Sequence, residues 1–165
     1  MNIRIGHGID IHQFEKNIPF ILGGIPIHYS FGIKGHSDGD VLIHALVDAL
    51  LGAVSLGDIG TYFPSNSKEW ENCNSEIFLK EVLKKVASLN YKIENIDMTI
   101  ILQEPHIKAY IDKIKINLSN LMQLKNNQIS IKATTADYLG FVGEKKGIVA
   151  TACVLISRNI HESSH

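Results

Sequence analysis

The sequence has few cysteines and no long apolar run. It contains only Cys73 and Cys153, and neither lies in a CxxC or Cys–His spacing, which favours a reduced intracellular protein with two incidental thiols. No apolar run approaches the ~20 residues that cross a bilayer. Residues 1–4 lead directly into folded-looking sequence, so we expect no membrane span and no targeting segment. A formal net charge of −1 gives no basic field that would indicate nucleic acid as a partner.

The composition is typical of one folded domain. Hydrophobic residues make up 45% of the chain and charged residues 20%, a composition that excludes a disordered protein, because disordered chains have low hydrophobicity. A chain of 165 residues fits a domain of ordinary size. We therefore predict a single domain over residues 1–165, with its folded part at about residues 3–157.

Residue periodicity predicts a mixture of strands and helices. Isoleucine alternates with glycine and polar residues over residues 3–12, which indicates a strand, and an almost wholly apolar run over residues 41–54 indicates a buried helix. The same reasoning predicts strands at 93–103, 129–133 and 148–157, a hairpin around residues 23–24, and helices at 75–90 and 105–122. This order predicts an α+β fold in which a mixed sheet packs against helices, with one βαβ unit over residues 93–133.

Capping residues predict where two of the helices begin. Ser37 or Asp38 is the expected N-cap of the apolar helix, with Asp40 in its first turn. Pro105 suits the first turn of the helix that ends near Met122, because a proline lacks the N–H that the first turn leaves unpaired.

Asp10, His12 and His44 are candidate ligands of a metal ion. Asp10 and His12 are two residues apart on a strand and so project from one face, but this spacing alone is a weak signal, which a polar strand edge facing solvent explains better. His44 lies in the buried helix, where the alternative is a core histidine bonded to Asp48. Together they predict a metal site. One carboxylate and two imidazoles with an open fourth position suit catalytic zinc, with manganese, cobalt or iron as alternatives. A further hypothesis is that Asp48 orients His44.

Four other segments carry more polar and glycine residues than packing requires. Residues 36–40 (HSDGD) precede the buried helix, whose N-terminus attracts anions. Residues 57–60 (GDIG) allow close approach of a ligand to the backbone, or form an ordinary turn. Residues 132–137 (KATTAD) offer hydroxyls that bind phosphate or cap a short helix, and residues 103–106 (QEPH) end a strand. No P-loop, dinucleotide fingerprint, serine elbow or kinase signature is present.

As a set, these motifs resemble the 2-C-methyl-D-erythritol 2,4-cyclodiphosphate synthase family. The matching segments are GHGIDIH at 6–12, HSDGD at 36–40, HAL at 44–46, DALLGA at 48–53, LGDIG at 56–60, FP at 63–64, KATT at 132–135 and LGF at 139–141. The similarity covers residues 3 to about 156 in the same order and with closely matching spacing.

The resemblance implies an enzyme of the non-mevalonate isoprenoid pathway. Its substrate would be 4-diphosphocytidyl-2-C-methyl-D-erythritol 2-phosphate, which is cyclised with release of CMP. The family resemblance also implies a homotrimer with active sites between neighbouring subunits. It implies zinc, or another divalent transition metal, on Asp10, His12 and His44, and a second Mg²⁺ or Mn²⁺ ion that shares the substrate diphosphate.

The same resemblance assigns roles to individual residues. His36 and Thr135 would stabilise the pentacoordinate transition state. The implied substrate-binding residues are Ser37, Asp58, Ile59, Gly60, Phe63, His106, Lys108, Thr134, Asp137 and Phe141.

Four departures from the family pattern affect these assignments. Asp137 stands where a glutamate commonly binds the second metal, and its shorter side chain makes a bridging water an alternative to direct ligation. His106 stands where a lysine is usual near the cytidylate, and Lys108 is a candidate to compensate. Residues 65–67 (SNS) replace an acidic DTD sequence, and Glu144 replaces an arginine associated with an isoprenoid-diphosphate pocket on the trimer axis.

Two other functions remain alternatives at this point. One is a metal-dependent phosphohydrolase that activates water at the same site. The other is a non-catalytic trimer that binds nucleotides or isoprenoid diphosphates. The expected location is cytoplasmic for a bacterial source, or a plastid or apicoplast for a eukaryotic one.

Overall fold

A computed structural model describes residues 2–158 of the chain. The strands are β1 (Ile3–Lys16), β2 (Ile21–Leu22), β3 (Ile25–Pro26), β4 (Phe31–Ile33), β5 (Tyr91–Ile101), β6 (Ile129–Thr134) and β7 (Gly147–Arg158). The helices are α1 (Val41–Ala53), α2 (Ile59–Tyr62), α3 (Ser75–Ser88), α4 (Ile111–Met122) and α5 (Gly140–Gly143), with 3-10 turns at Lys68–Trp70, Lys108–Tyr110 and Asn126–Gln128. None of the helices in residues 2–158 is both long enough and apolar enough to span a membrane.

The main sheet has five strands in the order β4-β1-β7-β5-β6. Strands β5 and β6 are parallel, with α4 between them in the chain, and the other pairs are antiparallel. Strands β2 and β3 form a small separate hairpin around Gly23 and Gly24. The predicted mixed sheet packed against helices and the predicted βαβ unit are therefore confirmed.

Helix α1 packs directly on β1 because two glycines leave room for it. A Cβ on Gly6 would lie 1.8 Å from the Ala49 carbonyl oxygen, and one on Gly8 would lie 2.0 Å from the Ala45 carbonyl oxygen. Helix α1 is buried along almost its whole length, as its apolar sequence predicts. This close approach brings residues of α1 against the face of β1 that carries Asp10 and His12.

The opposite face of β1 is apolar and exposed. The alternating isoleucines of the strand point away from α1, and they remain open to solvent in the single chain: Ile3, Ile5, Ile9 and Ile11. Ile5 is 73% exposed and Ile9 is 52% exposed. Soluble monomers rarely expose a contiguous apolar row of this kind without a partner.

The predicted starts of two helices are wrong. The N-cap of α1 is Asp40 itself, whose Oδ1 accepts from the Ile43 N–H at 3.1 Å and from the Gly23 N–H at 2.9 Å. The β2–β3 hairpin thus fixes Asp40 at the helix end, which local sequence did not reveal. Helix α4 begins at Ile111 and not at Pro105, and a 3-10 turn at Lys108–Tyr110 precedes it.

Candidate active site

Asp10, His12 and His44 converge on one point between β1 and α1. Asp10 Oδ2 lies 2.8 Å from His12 Nε2 and 3.0 Å from His44 Nδ1, and the two ring nitrogens are 3.4 Å apart. The structure therefore brings the three predicted ligands together, and each offers one atom to a common point.

The spacing of these atoms fits a small divalent cation. A tetrahedral ion with bonds of about 2.0–2.1 Å holds its donor atoms about 3.3 Å apart; one of the three separations, 3.4 Å, matches this value, and the other two, 2.8 and 3.0 Å, are somewhat shorter. A donor set of one carboxylate and two imidazoles suits zinc and leaves a fourth position for a substrate oxygen. The residues present therefore fit the metal that the family resemblance implies.

Hydrogen bonding sets the tautomer of His12. Its Nδ1 lies 2.6 Å from the carbonyl oxygen of Lys34, and a carbonyl only accepts, so Nδ1 carries the proton. In the neutral ring Nε2 then holds a lone pair, and it is Nε2 that faces Asp10 and His44.

Electrostatics keep Asp10 ionised in this cluster. Burial opposes ionisation of the carboxyl, but the contacts with the His12 and His44 rings outweigh it and hold the pKa of Asp10 well below its usual value. Burial would likewise lower the pKa of His12, and the bond to Asp10 reverses this and raises it. Asp10 therefore offers a negatively charged carboxylate to the cluster at neutral pH.

The His36–Asp40 segment lies beside the three ligands. Ser37 Oγ is 3.1 Å from His44 Nε2, and the His36 ring contacts the Ser67 carbonyl oxygen through Nε2 at 2.9 Å. Because that carbonyl accepts, His36 Nε2 donates to it and the ring is held against the 57–74 loop.

The hypothesis that Asp48 orients His44 is wrong. Asp48 Oδ1 accepts from the Ile59 N–H at 2.7 Å, which fixes the start of α2 against α1. Asp58 caps α2 through the Thr61 N–H at 2.9 Å and is exposed. Its hydrogen bonds with Thr61 lower the pKa of the Asp58 carboxyl.

A second group of predicted residues lines a cavity of about 370 Å³ at the end of β5 and β6. The predicted members of this group are His106, Lys108, Thr134 and Thr135. Next to it, Thr135 Oγ1 accepts from the Asp137 N–H at 3.4 Å. The structure thus brings together the basic and hydroxyl side chains to which the resemblance assigns substrate contacts and, for Thr135, a role in the transition state.

Within one chain, this cavity is far from the three metal-ligand candidates. Asp10 pairs with Ala150 on β7, Ala150 with Ile100 on β5, and Ile100 with Ala133 on β6. These three steps between strands amount to about 14 Å at a spacing of about 4.8 Å each. Thr134 and Thr135 therefore lie too far along the sheet to reach the Asp10 cluster of their own chain.

The two predicted phenylalanines have different surroundings. Phe63 stacks on Phe78 with ring centroids 4.4 Å apart and also packs edge-on against Trp70, so it anchors the 57–74 loop. Phe141 is partly exposed and lines a separate cavity of about 600 Å³ with His12, Lys145 and Lys146.

Sequence reasoning did not predict the contacts that three further residues make at the site. Ser75 and Asp38 contact each other next to His44, and Gln103 Oε1 accepts from the Tyr138 N–H at 3.2 Å. Asp38 belongs to a motif that the sequence analysis noted, but Ser75 stands at an ordinary helix start, and no sequence signal links it to His44.

Comparisons with known proteins agree with the site geometry. The model of the YgbB family matches residues 3–157. A curated protein of Francisella philomiragia, named 2-C-methyl-D-erythritol 2,4-cyclodiphosphate synthase, is 50% identical over 161 residues, which is 96% of this chain and 100% of the relative.

Two solved structures share the fold. IspF of Plasmodium falciparum in a CDP complex has a TM-score of 0.84 and 38% identity, over 95% of this chain and 97% of that one. The bifunctional IspDF of Campylobacter jejuni has a TM-score of 0.91 and 39% identity, over 94% of this chain but 42% of the longer protein. The resemblance predicted from the sequence is confirmed, and these matches favour neither the hydrolase nor the binding-scaffold alternative. The chain belongs to the YgbB family.

Proposed function

We propose that the chain converts 4-diphosphocytidyl-2-C-methyl-D-erythritol 2-phosphate to 2-C-methyl-D-erythritol 2,4-cyclodiphosphate and CMP, in the non-mevalonate isoprenoid pathway. The observation that carries this proposal is the convergence of Asp10, His12 and His44, in a chain of which 96% matches a synthase of that name. The bacterial source of that relative supports a cytoplasmic location.

The reaction needs no protein nucleophile. An oxygen of the 2-phosphate attacks the β-phosphorus and forms a new P–O bond, which closes the eight-membered ring. The bond from the β-phosphorus to the bridging oxygen breaks, and CMP leaves with that electron pair. Because the attacking phosphate is already anionic, catalysis consists of positioning the two phosphates and neutralising their charge.

Asp10, His12 and His44 would hold the first divalent cation, for which zinc is the first choice. When bound there, the ion supplies Lewis-acid polarisation of the β-phosphate. Asp137 would bind the second ion, Mg²⁺ or Mn²⁺. Its carboxylate is exposed beside Thr135. Mg²⁺ sites often combine one or two carboxylates with substrate phosphates, so a single aspartate suffices.

The remaining predicted residues divide between the two ends of the substrate. His106, Lys108 and Thr134 line the 370 Å³ cavity and would hold the cytidylate. Asp58, Ile59 and Gly60 would bind the methylerythritol hydroxyls, for which the exposed, ionised Asp58 carboxylate is a suitable acceptor. Phe63 and Phe141 would flank the substrate as aromatic contacts, and Ser37 would contact a phosphate. His36 and Thr135 would donate hydrogen bonds to the pentacoordinate transition state.

A homotrimer would complete the site. Thr135 lies about 14 Å along the sheet from the row of Asp10, so the Thr135 that acts with this cluster has to come from a neighbouring copy. The exposed isoleucine face of β1 supplies an apolar surface for such an association. The count of three comes from the family resemblance, and identical subunits that associate head to tail form a closed ring when the rotation between them closes.

Incubation of purified protein with the cytidylated substrate tests the proposal. Stoichiometric CMP together with a cyclic diphosphate, identified by ³¹P NMR, is the expected result. Linear phosphates would indicate a hydrolase instead, and nucleotide binding without turnover would indicate a binding scaffold. Sedimentation should give a species of about 55 kDa, for three chains of 18.3 kDa each.

A further inference from the structure

Ser75 contacts the ring nitrogen of His44 that faces away from Asp10, and Asp38 in turn contacts Ser75. Ser75 is fully buried at the start of α3, and its Oγ lies 2.9 Å from His44 Nε2. Ser75 also contacts Asp38 twice: its hydroxyl donates to Asp38 Oδ1, and its N–H donates to Asp38 Oδ2 at 3.0 Å. This arrangement joins the 36–40 loop, α1 and α3 behind the cluster.

The direction of the bond to His44 follows from counting protons. Ser75 has one hydroxyl proton, and the Asp38 carboxylate can only accept, so that proton belongs to the Ser75–Asp38 bond. The Ser75 oxygen is then left as an acceptor towards His44, and His44 Nε2 carries the proton that it donates to Ser75.

This direction determines what the other His44 nitrogen offers. An imidazole that binds a metal ion is neutral and carries one proton, so a proton on Nε2 leaves Nδ1 as the nitrogen that offers its lone pair to the metal. Nδ1 is the atom that lies 3.0 Å from Asp10 Oδ2 and 3.4 Å from His12 Nε2. We propose that Asp38 and Ser75 are positioning residues that hold His44 as the tautomer whose Nδ1 binds the metal. The inference rests on the metal site of the proposed function and does not depend on the cyclisation reaction.

The proposal predicts different effects for two substitutions. Ser75→Ala removes the main acceptor for the His44 Nε2 proton, while Ser37 Oγ, 3.1 Å from His44 Nε2, remains as a weaker acceptor. Asp38→Asn goes further, because an amide has only one acceptor oxygen for the two Ser75 donors. When that oxygen accepts from the Ser75 N–H, the amide NH₂ faces Ser75 Oγ, and the hydroxyl proton turns towards His44 Nε2. The ring is then driven to the Nδ1–H tautomer, which opposes metal binding.

Zinc affinity, measured by competition with a chromophoric chelator, tests the proposal. Loss of a partner that orients a metal ligand typically weakens binding about 10–100-fold. We expect Ser75→Ala to fall in that range and Asp38→Asn to bind more weakly still. Ser88→Ala at the other end of α3 and Asp112→Asn in α4 make the same chemical changes at exposed positions, and both should retain the wild-type affinity.

Two further measurements separate positioning from mere structural support. ¹⁵N NMR of the zinc-loaded wild type should find the His44 proton on Nε2, and this test does not depend on the affinities of the variants. A proton on Nδ1 would overturn the proposal. The thermal midpoints of the metal-free variants should stay close to that of the metal-free wild type, while the zinc affinities of the variants fall. Affinities within twofold of the wild type in both variants would also overturn it. If the wild type itself bound no zinc, the proposed metal site would fail, which is a separate outcome.

Discussion

The substitution Gly8→Ala should weaken folding and metal binding together. A Cβ at this position would lie 2.0 Å from the Ala45 carbonyl oxygen and 2.7 Å from the Ala49 backbone nitrogen. Relief of the first contact alone requires α1 to move by about 1 Å, and such overpacking typically costs about 1–3 kcal/mol of unfolding free energy. For a domain of this size that corresponds to a thermal midpoint lower by roughly 2–12 °C.

The same shift of α1 would carry His44 away from Asp10 and His12. Metal sites require donor distances within about 0.2 Å of ideal, so a displacement of about 1 Å should reduce zinc affinity at least tenfold. Differential scanning fluorimetry of the metal-free protein and chelator competition measure the two effects separately. Gly52→Ala is a matched control within α1, because its Cβ would come no closer than 4.0 Å to the His7 carbonyl oxygen. It should leave zinc affinity unchanged and raise stability by about 0.5–1 kcal/mol. A Gly8→Ala variant with the wild-type midpoint and affinity would refute this account of the packing.

Three other predictions concern folding, catalysis and assembly. Asp40→Asn should cost about 1–3 kcal/mol, because the carboxylate accepts three backbone N–H groups in all. Burial raises the pKa of Asp40 from 3.8 to about 6. Protonation of Asp40 therefore contributes to the free energy of unfolding at low pH, and this contribution should decline as the pH rises from about 4 to about 6. Urea titrations of the metal-free Asp40→Asn variant should lack this decline. Thr135→Val should lower kcat for CMP release by about 10²–10³-fold, while Thr135→Ser retains most activity; an equal loss in both would count against a role for the hydroxyl. Ile9→Asp should yield monomers in sedimentation, whereas Ile116→Asp on α4, similarly exposed at 50%, should leave the assembly intact; trimers in both would exclude the β1 face as the interface.

The elements with strong periodicity could be predicted from the sequence. The apolar run of α1 and the alternation of β1 predicted both elements that carry the candidate metal ligands, and strand geometry predicted that Asp10 and His12 share one face. Strand β4 and helices α2 and α5 were not predicted, because segments of three or four residues are too short to show a period.

Contacts between distant segments could not be read from local sequence. Asp48 lies one helical turn from His44 and was therefore the expected hydrogen-bond partner of its ring, yet the Asp48 carboxylate accepts from the Ile59 N–H instead. Ser75, 31 residues away in the chain, occupies the place next to His44 instead. The distance of Thr135 from the Asp10 cluster depends on strand order, which local periodicity does not determine.

Metal reconstitution tests the central claim most directly. Protein stripped with a chelator should release no CMP from the substrate, with Mg²⁺ kept in excess, and activity should return in proportion to added zinc up to one equivalent per chain. His44→Ala should recover no activity under the same titration. Full activity of the stripped wild type, or equal recovery by His44→Ala, would contradict a catalytic metal on Asp10, His12 and His44.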